Sequence, residues 1–288
     1  MESAAWIDNS GNLSVEGIVD PVPWWSFTKT VLAIAALRLV DSGHLALSEP
    51  IDGNRYSLAH LLKHEAGLPD YGDVAQYHDD VAAGKSPWPV AQLLALVDAD
   101  RLCYQPGQGW AYSNIGYLEV GRLIERTSGL SLEDALARIV FAPVGLTTAR
   151  LAATPADLAG VQMGSVAGYH PGWVYHGLVT GTTADAARLL RALLMGALLE
   201  PKTMDRMLDG RALPEHRTAN YPDPAYGLGL MFSATDPLKH PVGHTGDGPG
   251  SGIAVYSRNA RTCAIWAAPP STTDPVAEVF KRLANGSH

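Results

Sequence analysis

Strand-like patterns occupy the two ends of this chain of 288 residues, whereas mostly helical patterns occupy the long stretch between them. Near the start, residues 4–7 and 13–19 flank the turn Asp8-Asn-Ser-Gly and predict a β-hairpin. Strand patterns return only near Tyr226, over 226–232, 253–257 and 262–266, and a further helix is predicted over 274–285. Strands so far apart in sequence can share one sheet only if the two ends meet. We therefore predict an α+β fold, with an antiparallel sheet from both chain ends that helices flank.

The middle of the chain is predicted to be a mostly helical insertion, over residues 56–221. Its helical periodicity is clearest at four segments, which are 90–98, 115–128, 132–141 and 184–199. The remaining ranges, 1–55 and 222–288, are predicted to form the sheet subdomain. An active site is then expected at the junction of the two parts.

Ser26 and Lys29 lie three residues apart at the start of an apolar run that Gly43 closes. The predicted helix puts Ser26 in its first turn, where the backbone N–H has no intrahelical partner and the dipole favours an anion. Residues i and i+3 share a helix face, so the Lys29 amine can reach the Ser26 hydroxyl. Burial lowers the pKa of a lysine, and a neutral amine can accept the serine proton. The alternative is a helix cap at Ser26 and a Lys29 side chain that extends to water.

Tyr112 and Asn114 lie in a predicted turn between Pro106-Gly-Gln-Gly and the helical pattern that begins at Ile115. Such a turn can project side chains into a cleft. A cationic lysine nearby stabilises a tyrosine phenolate, which equips Tyr112 for proton transfer, and the Asn114 amide can bind a substrate carbonyl or amide. The alternative is that Asn114 caps the helix and Tyr112 belongs to the core.

The segment 243–252, with the sequence GHTGDGPGSG, lies between two strand-like stretches. Its glycines do not form a phosphate loop, because Pro249 interrupts the pattern and a strand follows where such a loop needs a helix. Glycines in a strand allow close approach of another backbone. We predict an edge strand that aligns the substrate and supplies the Asp247 backbone N–H as an oxyanion donor opposite that of Ser26.

Three motifs in this order, SxxK at Ser26, YSN at Tyr112 and HTG at His244, resemble those of the serine β-lactamase and penicillin-binding-protein family. The resemblance is to the branch of class C β-lactamases, D,D-peptidases and family VIII esterases. The segments 61–69, 114–125 and 177–189 are also similar to family segments, so the resemblance spans nearly the whole chain. It implies a β-lactamase/transpeptidase-like fold and a two-step acyl transfer from a small-molecule ester, amide or β-lactam to water.

The resemblance also implies a role for each matching residue. Ser26 would be the nucleophile, with Lys29 and Tyr112 handling protons, and the N–H groups of Ser26 and Asp247 would hold the oxyanion. No metal or organic cofactor is implied. An esterase-like hydrolase is the leading hypothesis; the alternatives are a β-lactamase or D-amino-acid peptidase, and a penicillin-binding sensor that is acylated without turnover. The residues expected to bind substrate are Asn114, His244, Thr245 and Gly246.

Two departures from the family pattern bear on the substrate. Efficient β-lactamases usually carry a lysine where this chain has His244, and histidine is only partly charged near neutrality. Asp247 places a carboxylate beside the expected oxyanion site, in a chain of formal net charge -8. We therefore expect neutral esters or amides to be preferred over anionic β-lactams.

Composition argues against several classes of function. The chain has 21 Lys and Arg against 29 Asp and Glu, whereas nucleic-acid binding needs clustered basic residues. The longest aliphatic block, 31–37, is too short for a membrane span. No basic region followed by an apolar stretch opens the sequence, so no secretion signal is recognised. We predict a cytoplasmic protein that binds neither nucleic acid nor a membrane, with a removed leader as the alternative.

His60 and His64 have the four-residue spacing of metal ligands on a predicted helix. The residues between them lack the glutamate of a metalloprotease helix. We therefore predict no metal site there.

Overall fold

A computed structural model describes residues 1–51, 53–166, 168–238 and 240–284. Within these residues the strands are β1 Glu2–Ile7, β2 Leu13–Gly17, β3 Val22–Pro23, β4 Arg150–Ala152, β5 Leu178–Gly181, β6 Arg211–Ala212, β7 Pro224–Tyr226, β8 Met231–Ser233, β9 Val242–Gly248, β10 Ser251–Arg258 and β11 Arg261–Ala267. The larger sheet of the described chain has the strand order β2-β1-β11-β10-β9-β8-β7-β6, and the smaller one has the order β3-β5-β4.

The helices of the described residues cover both faces of the larger sheet and fill the middle of the chain. They are α1 Thr28–Asp41, α2 Leu58–Leu62, α3 Ala75–Ala82, α4 Val90–Leu96, α5 Asn114–Ser128, α6 Leu132–Leu136, α7 Thr183–Leu194, α8 Pro201–Met207 and α9 Pro275–Ala284.

The larger sheet joins the two ends of the chain, as predicted. Strand β1 pairs antiparallel with β11, in a register that sets Glu2 opposite Ala267 and Ile7 opposite Thr262. Successive side chains of β11 point to opposite faces. Cys263 therefore packs in the cluster beneath α9, whereas Ala264 lies in the main core. The predicted α+β architecture is confirmed, and the hairpin of β1 and β2 is present.

Two strand predictions need correction, and one small sheet was missed. The larger sheet resumes at β6, before Tyr226, and the smaller sheet of β3, β4 and β5 was not predicted. The stretch from Tyr226 to Phe232 is not one strand, because a turn in which the Gly227 N–H donates to the Leu230 carbonyl separates β7 from β8. Gly229 in that turn has φ +82°, and an added Cβ would lie 2.6 Å from the Cβ of Ala33 in α1. Close approach to α1 therefore favours the turn over a continuous strand.

The helix predictions are confirmed in type and differ at some ends. The helix expected over 132–141 changes at Ala137 into a π-helical turn, and the one expected to reach 199 ends at Leu194, before Gly196 with φ +77°. Residue 285, the expected end of the last helix, lies outside the described residues. The division into 1–55 with 222–288 and 56–221 stays a prediction, although α7 from the middle range packs on β1 and β11.

Helix α1 runs through the core, with Ser26 just before its start and Lys29 in its first turn. Every residue from Val31 to Leu37 is fully buried. Burial on all sides explains the aliphatic block in the sequence, since a helix that is hydrophobic all round lies inside a protein. Of the helices in the described part of the chain, none combines the length and the apolar composition needed to cross a membrane.

Candidate active site

Ser26 lies in a 3-10 turn, Trp25–Phe27, that leads directly into α1. The indoles beside it anchor this turn: Trp24 Nε1 donates to the Gly181 carbonyl at 3.0 Å, and Trp25 Nε1 donates to Ser251 Oγ at 3.1 Å. Lys29 follows in the first turn of α1, and its Nζ lies 3.2 Å from Ser26 Oγ. The i, i+3 spacing therefore brings the two groups together. The serine lies two residues before α1 and not in its first turn as predicted.

The Lys29 amine is enclosed by protein and does not extend to water, so the alternative reading of this residue is wrong. The side chain is fully buried. Its Nζ donates to Asn114 Oδ1 at 2.7 Å and lies 3.2 Å from His176 Nε2. Burial lowers the pKa of Lys29 to about 7, although the Asp70 carboxylate opposes this shift. A substantial share of the amine is therefore neutral near neutral pH.

The three neighbours of Lys29 Nζ define where its lone pair points. A neutral amine has two N–H bonds. Asn114 Oδ1 accepts one, and His176 Nε2 accepts the other in the tautomer that carries the ring proton on Nδ1. The remaining tetrahedral direction faces Ser26 Oγ. Burial and the charge of Lys29 lower the pKa of His176 well below its usual value, so this ring is neutral and can accept.

Asp70 orients Asn114, and neither Asp70 nor His176 was singled out from the sequence. The Asn114 backbone N–H donates to Asp70 Oδ1 at 2.7 Å, and its Nδ2 donates to Asp70 Oδ2 at 3.0 Å. Ser113, not Asn114, caps α5.

Both missed residues, Asp70 and His176, adjoin segments that had been matched to the family, since Asp70 follows 61–69 and His176 precedes 177–189. Their position beside these segments is the signal that could have identified them.

Tyr112 lies against the same amine, with Lys29 Nζ 4.7 Å from its ring centroid. Its hydroxyl is hydrogen-bonded to the Ser26 side chain, but burial raises its pKa well above the usual value. The phenolate expected from the sequence is therefore disfavoured, because desolvation outweighs the hydrogen bond with Ser26. Tyr112 is a neutral phenol, suited to relaying a proton.

His64 packs against the Tyr112 ring, and its ring nitrogen and that of His60 have different hydrogen-bond partners. The two ring centroids of His64 and Tyr112 are 4.4 Å apart, and His64 Nδ1 accepts the Ser113 N–H at 3.1 Å. His64 lies beyond the end of α2 with φ +60°, whereas His60 Nδ1 accepts the Ser57 N–H at the start of that helix. The two histidines therefore serve separate structural positions.

Strand β9 runs against the serine turn at Gly246. A Cβ added there would lie 2.5 Å from the Trp24 carbonyl oxygen and 2.7 Å from the Ser26 nitrogen. Only a glycine allows this approach. It brings Asp247, the next residue, to the cleft beside Ser26, where both residues line the same cavities.

Substituting Gly246 with alanine is expected to lower kcat/KM for a short ester by about 100-fold, because displacement of β9 by about 1 Å misaligns the reacting groups. Gly121→Ala is the matched control, since its added Cβ meets only the end of the Leu132 side chain at 3.4 Å. Steady-state kinetics of both variants check this. Equal activity of the two variants would contradict the close approach.

His244 lines the cleft as a neutral ring. Burial lowers its pKa to about 3. Nδ1 faces the Thr245 carbonyl, and Nε2 lies 2.9 Å from the Tyr226 hydroxyl. The carbonyl can only accept, so Nδ1 carries the proton and Nε2 accepts from Tyr226. The ring therefore supplies neither a cation nor a free N–H to a substrate. The partial positive charge expected from the sequence is absent from this neutral ring.

Two cavities meet at Ser26. One is about 350 Å³ and is lined by Tyr112, His244 and Thr245 together with apolar side chains such as Leu213 and Phe232. The other is about 120 Å³ and is lined by Asn114 and His176 with Tyr71, Tyr77, Tyr169 and Val174. Neither set of described lining residues contains a lysine or an arginine, whereas Asp247 lines both. The cleft therefore offers no fixed cation for an anionic substrate.

Known proteins resemble this chain over most of its length. The family model described as Beta-lactamase matches residues 20–282. Lovastatin esterase of Penicillium rubens is 24% identical, over 79% of this chain and 69% of the esterase. A D-aminopeptidase of Brucella canis is 28% identical, over 76% of this chain and 43% of that enzyme. The chain spans less than half the length of several other curated relatives that it matches.

Among solved structures, the D-amino acid amidase from Ochrobactrum anthropi SV3 superposes with a TM-score of 0.80 at 20% identity. The match covers 98% of this chain and 94% of the amidase. At this identity the likeness concerns the fold, and it confirms the β-lactamase/transpeptidase-like architecture.

Proposed function

Since this chain belongs to the β-lactamase family, we propose that it is a serine hydrolase that forms an acyl-enzyme on Ser26, with small acyl esters or amides as substrates. One observation carries the proposal: a fully buried Lys29 amine, with its pKa lowered to about 7, lies 3.2 Å from Ser26 Oγ. A serine hydroxyl is a weak nucleophile at neutral pH and needs an adjacent base. The neutral amine is that base.

In the acylation step Ser26 Oγ attacks the substrate carbonyl carbon while Lys29 accepts the hydroxyl proton. The oxyanion forms between the backbone N–H groups of Ser26 and Asp247, each of which would contribute on the order of 3 kcal/mol to lowering the barrier. The proton then passes through the Tyr112 hydroxyl, which is hydrogen-bonded to Ser26, to the leaving group. It is received by the oxygen of a departing alcohol or by the nitrogen of a departing amine. The bond between the carbonyl carbon and the leaving group breaks as that group is protonated.

Deacylation uses the same groups in reverse. Water replaces the leaving group, Tyr112 and Lys29 take its proton, and the hydroxide adds to the acyl carbon. The ester bond to Ser26 Oγ then breaks as the proton returns to the serine, and the acid is released. Because the same proton relay serves both steps, no separate general base is required to activate the water.

The leaving group is assigned to the larger cavity, because the group that protonates it, Tyr112, lines that cavity. The acyl group is then assigned to the smaller cavity, which Asn114 and His176 line. The neutral His244 ring and the Asp247 carboxylate disfavour a carboxylate on the leaving-group side. These features support neutral substrates, whether ester or amide.

A second candidate is an aminoacyl amide, in line with the D-aminopeptidase relative. Asp247 lines the acyl cavity as well as the larger one, so an ammonium group on the acyl part could pair with its carboxylate. Hydrolysis of D-alanine p-nitroanilide, compared with its L enantiomer, tests this candidate directly. Turnover of neither enantiomer would dismiss it.

The test of the proposed function is intact-protein mass after mixing the protein with a fluorophosphonate, p-nitrophenyl butyrate and nitrocefin in parallel. We expect a single phosphonyl adduct, which peptide mapping places on Ser26, and continuous release of p-nitrophenol. A butyryl or nitrocefin-derived acyl adduct that persists without turnover would instead support an acylated sensor. The absence of both adduct and turnover with every probe would refute the proposal.

The electrostatics of the cleft predict a preference between two of these probes. We expect kcat/KM for p-nitrophenyl butyrate to exceed that for nitrocefin by at least about 10-fold, equivalent to about 1.4 kcal/mol. The physical reason is that the nitrocefin carboxylate meets no cation and lies close to Asp247. Measurements at low and high salt check the cause, since screening should narrow the gap. A nitrocefin rate equal to or above the ester rate would contradict this preference.

A further inference from the structure

A third cavity lies behind the acyl cavity, and one aromatic side chain lines both. This cavity is about 430 Å³, several times larger than the acyl cavity of about 120 Å³. Tyr169 and Pro249 are the residues shared by the two linings. Its other walls combine the apolar side chains of Val81, Val166 and Trp173 with polar ones, which are His78, Lys85, Ser165 and His170.

Tyr169 is packed between the two cavities. Its side chain is buried, with 6% of its surface exposed. Its ring packs edge-on against Trp25 in the serine turn, with the centroids 5.6 Å apart. A ring fixed between two cavities acts as a wall, because a substrate in one cavity cannot pass into the other without displacing it.

The acyl cavity alone has room for a short chain only. A cavity of about 150 Å³ holds a benzene-sized molecule, so this smaller one suits an acyl group of roughly five heavy atoms. A longer chain would need space beyond Tyr169. From these observations we propose that Tyr169 is the specificity-determining residue that limits acyl-chain length, by separating the acyl cavity from the larger cavity behind it. This inference rests on the proposed hydrolase function and on the assignment of the acyl group to the smaller cavity.

Truncation of Tyr169 should therefore extend the range of substrates. Tyr169→Ala joins the two cavities, and the apolar walls beyond can then take up additional methylene groups. Each methylene moved from water into an apolar site stabilises the bound chain, so the effect should grow with chain length. A gain of activity on long chains cannot result from general damage to the protein, so it is a readout that a merely structural role would not produce.

The experiment measures kcat/KM for p-nitrophenyl acetate, butyrate and octanoate, with the leaving group held constant. For the native protein we expect octanoate to be at least 10-fold poorer than butyrate. For Tyr169→Ala we expect the octanoate-to-butyrate ratio to rise at least 10-fold, with Tyr169→Leu intermediate and Tyr169→Phe native-like. Tyr221→Ala is the matched control, because it removes the same ring from the cavity on the other side of Ser26; its octanoate-to-butyrate ratio should stay native.

Two results would overturn the inference. One is a native protein that hydrolyses octanoate as well as butyrate, which can be measured even if the alanine variant does not fold. The other is an unchanged ratio in a folded Tyr169→Ala or Tyr169→Leu variant that still hydrolyses acetate. Failure of the native protein to react with any ester or with the fluorophosphonate would instead refute the proposed function. The two failures are thus distinguishable.

Discussion

Replacing Ser26 with alanine is expected to lower kcat for p-nitrophenyl butyrate by about 10⁴-fold or more, the scale seen when the nucleophile of a serine hydrolase is removed. The variant should also lose the fluorophosphonate adduct. The physical reason is that, among the described residues, no other hydroxyl is placed against the Lys29 amine and the backbone donors at once. Burst and steady-state release of p-nitrophenol, together with intact mass, provide the measurement.

The Ser26→Ala variant should remain folded, because the substitution removes a single oxygen from a partly exposed side chain. Thermal unfolding within a few degrees of the native protein is the control. A folded variant that keeps native-like turnover would show that the chemistry occurs elsewhere. A variant that loses turnover but still gains the phosphonate would place the reactive group on another residue.

Replacing Lys29 with methionine is expected to lower kcat/KM by about 10²- to 10⁴-fold, the usual contribution of a positioned general base. Methionine keeps much of the length and packing of the side chain but cannot accept a proton. Steady-state kinetics of the folded variant check this. Activity within about 3-fold of native would assign the base to another group.

The native pH profile follows from the same amine. The reactive form is the neutral one, and the pKa of Lys29 is lowered to about 7 by burial. Below that pH the ammonium has no lone pair for the serine proton, and above it the amine is free. We therefore expect kcat/KM to rise with pH through about 7 and to level off above it, and this limb should be absent in Lys29→Met. A flat native profile between about pH 5.5 and 8.5 would contradict a neutral Lys29 base.

The contacts of Lys29 come from distant parts of the chain, and this explains why the sequence predicted some of the site and not the rest. Ser26 is close because i, i+3 spacing on a helix is a local property. Asn114 is 85 residues away and His176 is 147 residues away. Motif order suggested Asn114, but no local spacing links either residue to the lysine. The proximity of His176 to Lys29 follows only from the placement of β5 beside the serine turn.

The strands also divide into those that the sequence predicted and those that it did not. The long strands β1, β10 and β11 have enough residues to display alternation, and the sheet from both chain ends was predicted from them. The strands β3, β4, β5 and β6 have two to four residues each. So few residues carry no recognisable period, since a pattern needs several repeats to stand out. Their pairing is decided by the partners that the rest of the fold presents.

The sequence by itself determined the α+β class, the family and the pairing of Ser26 with Lys29. Periodicity, helical spacing and each single motif are carried by residues near one another in the chain, and the order of the motifs is read directly from the sequence. Only the tertiary structure decided the protonation states. Tyr112 was expected as a phenolate and His244 as a partly charged ring, whereas burial makes both neutral. Desolvation depends on every element packed around a group, and so do the volumes of the cavities on either side of Ser26.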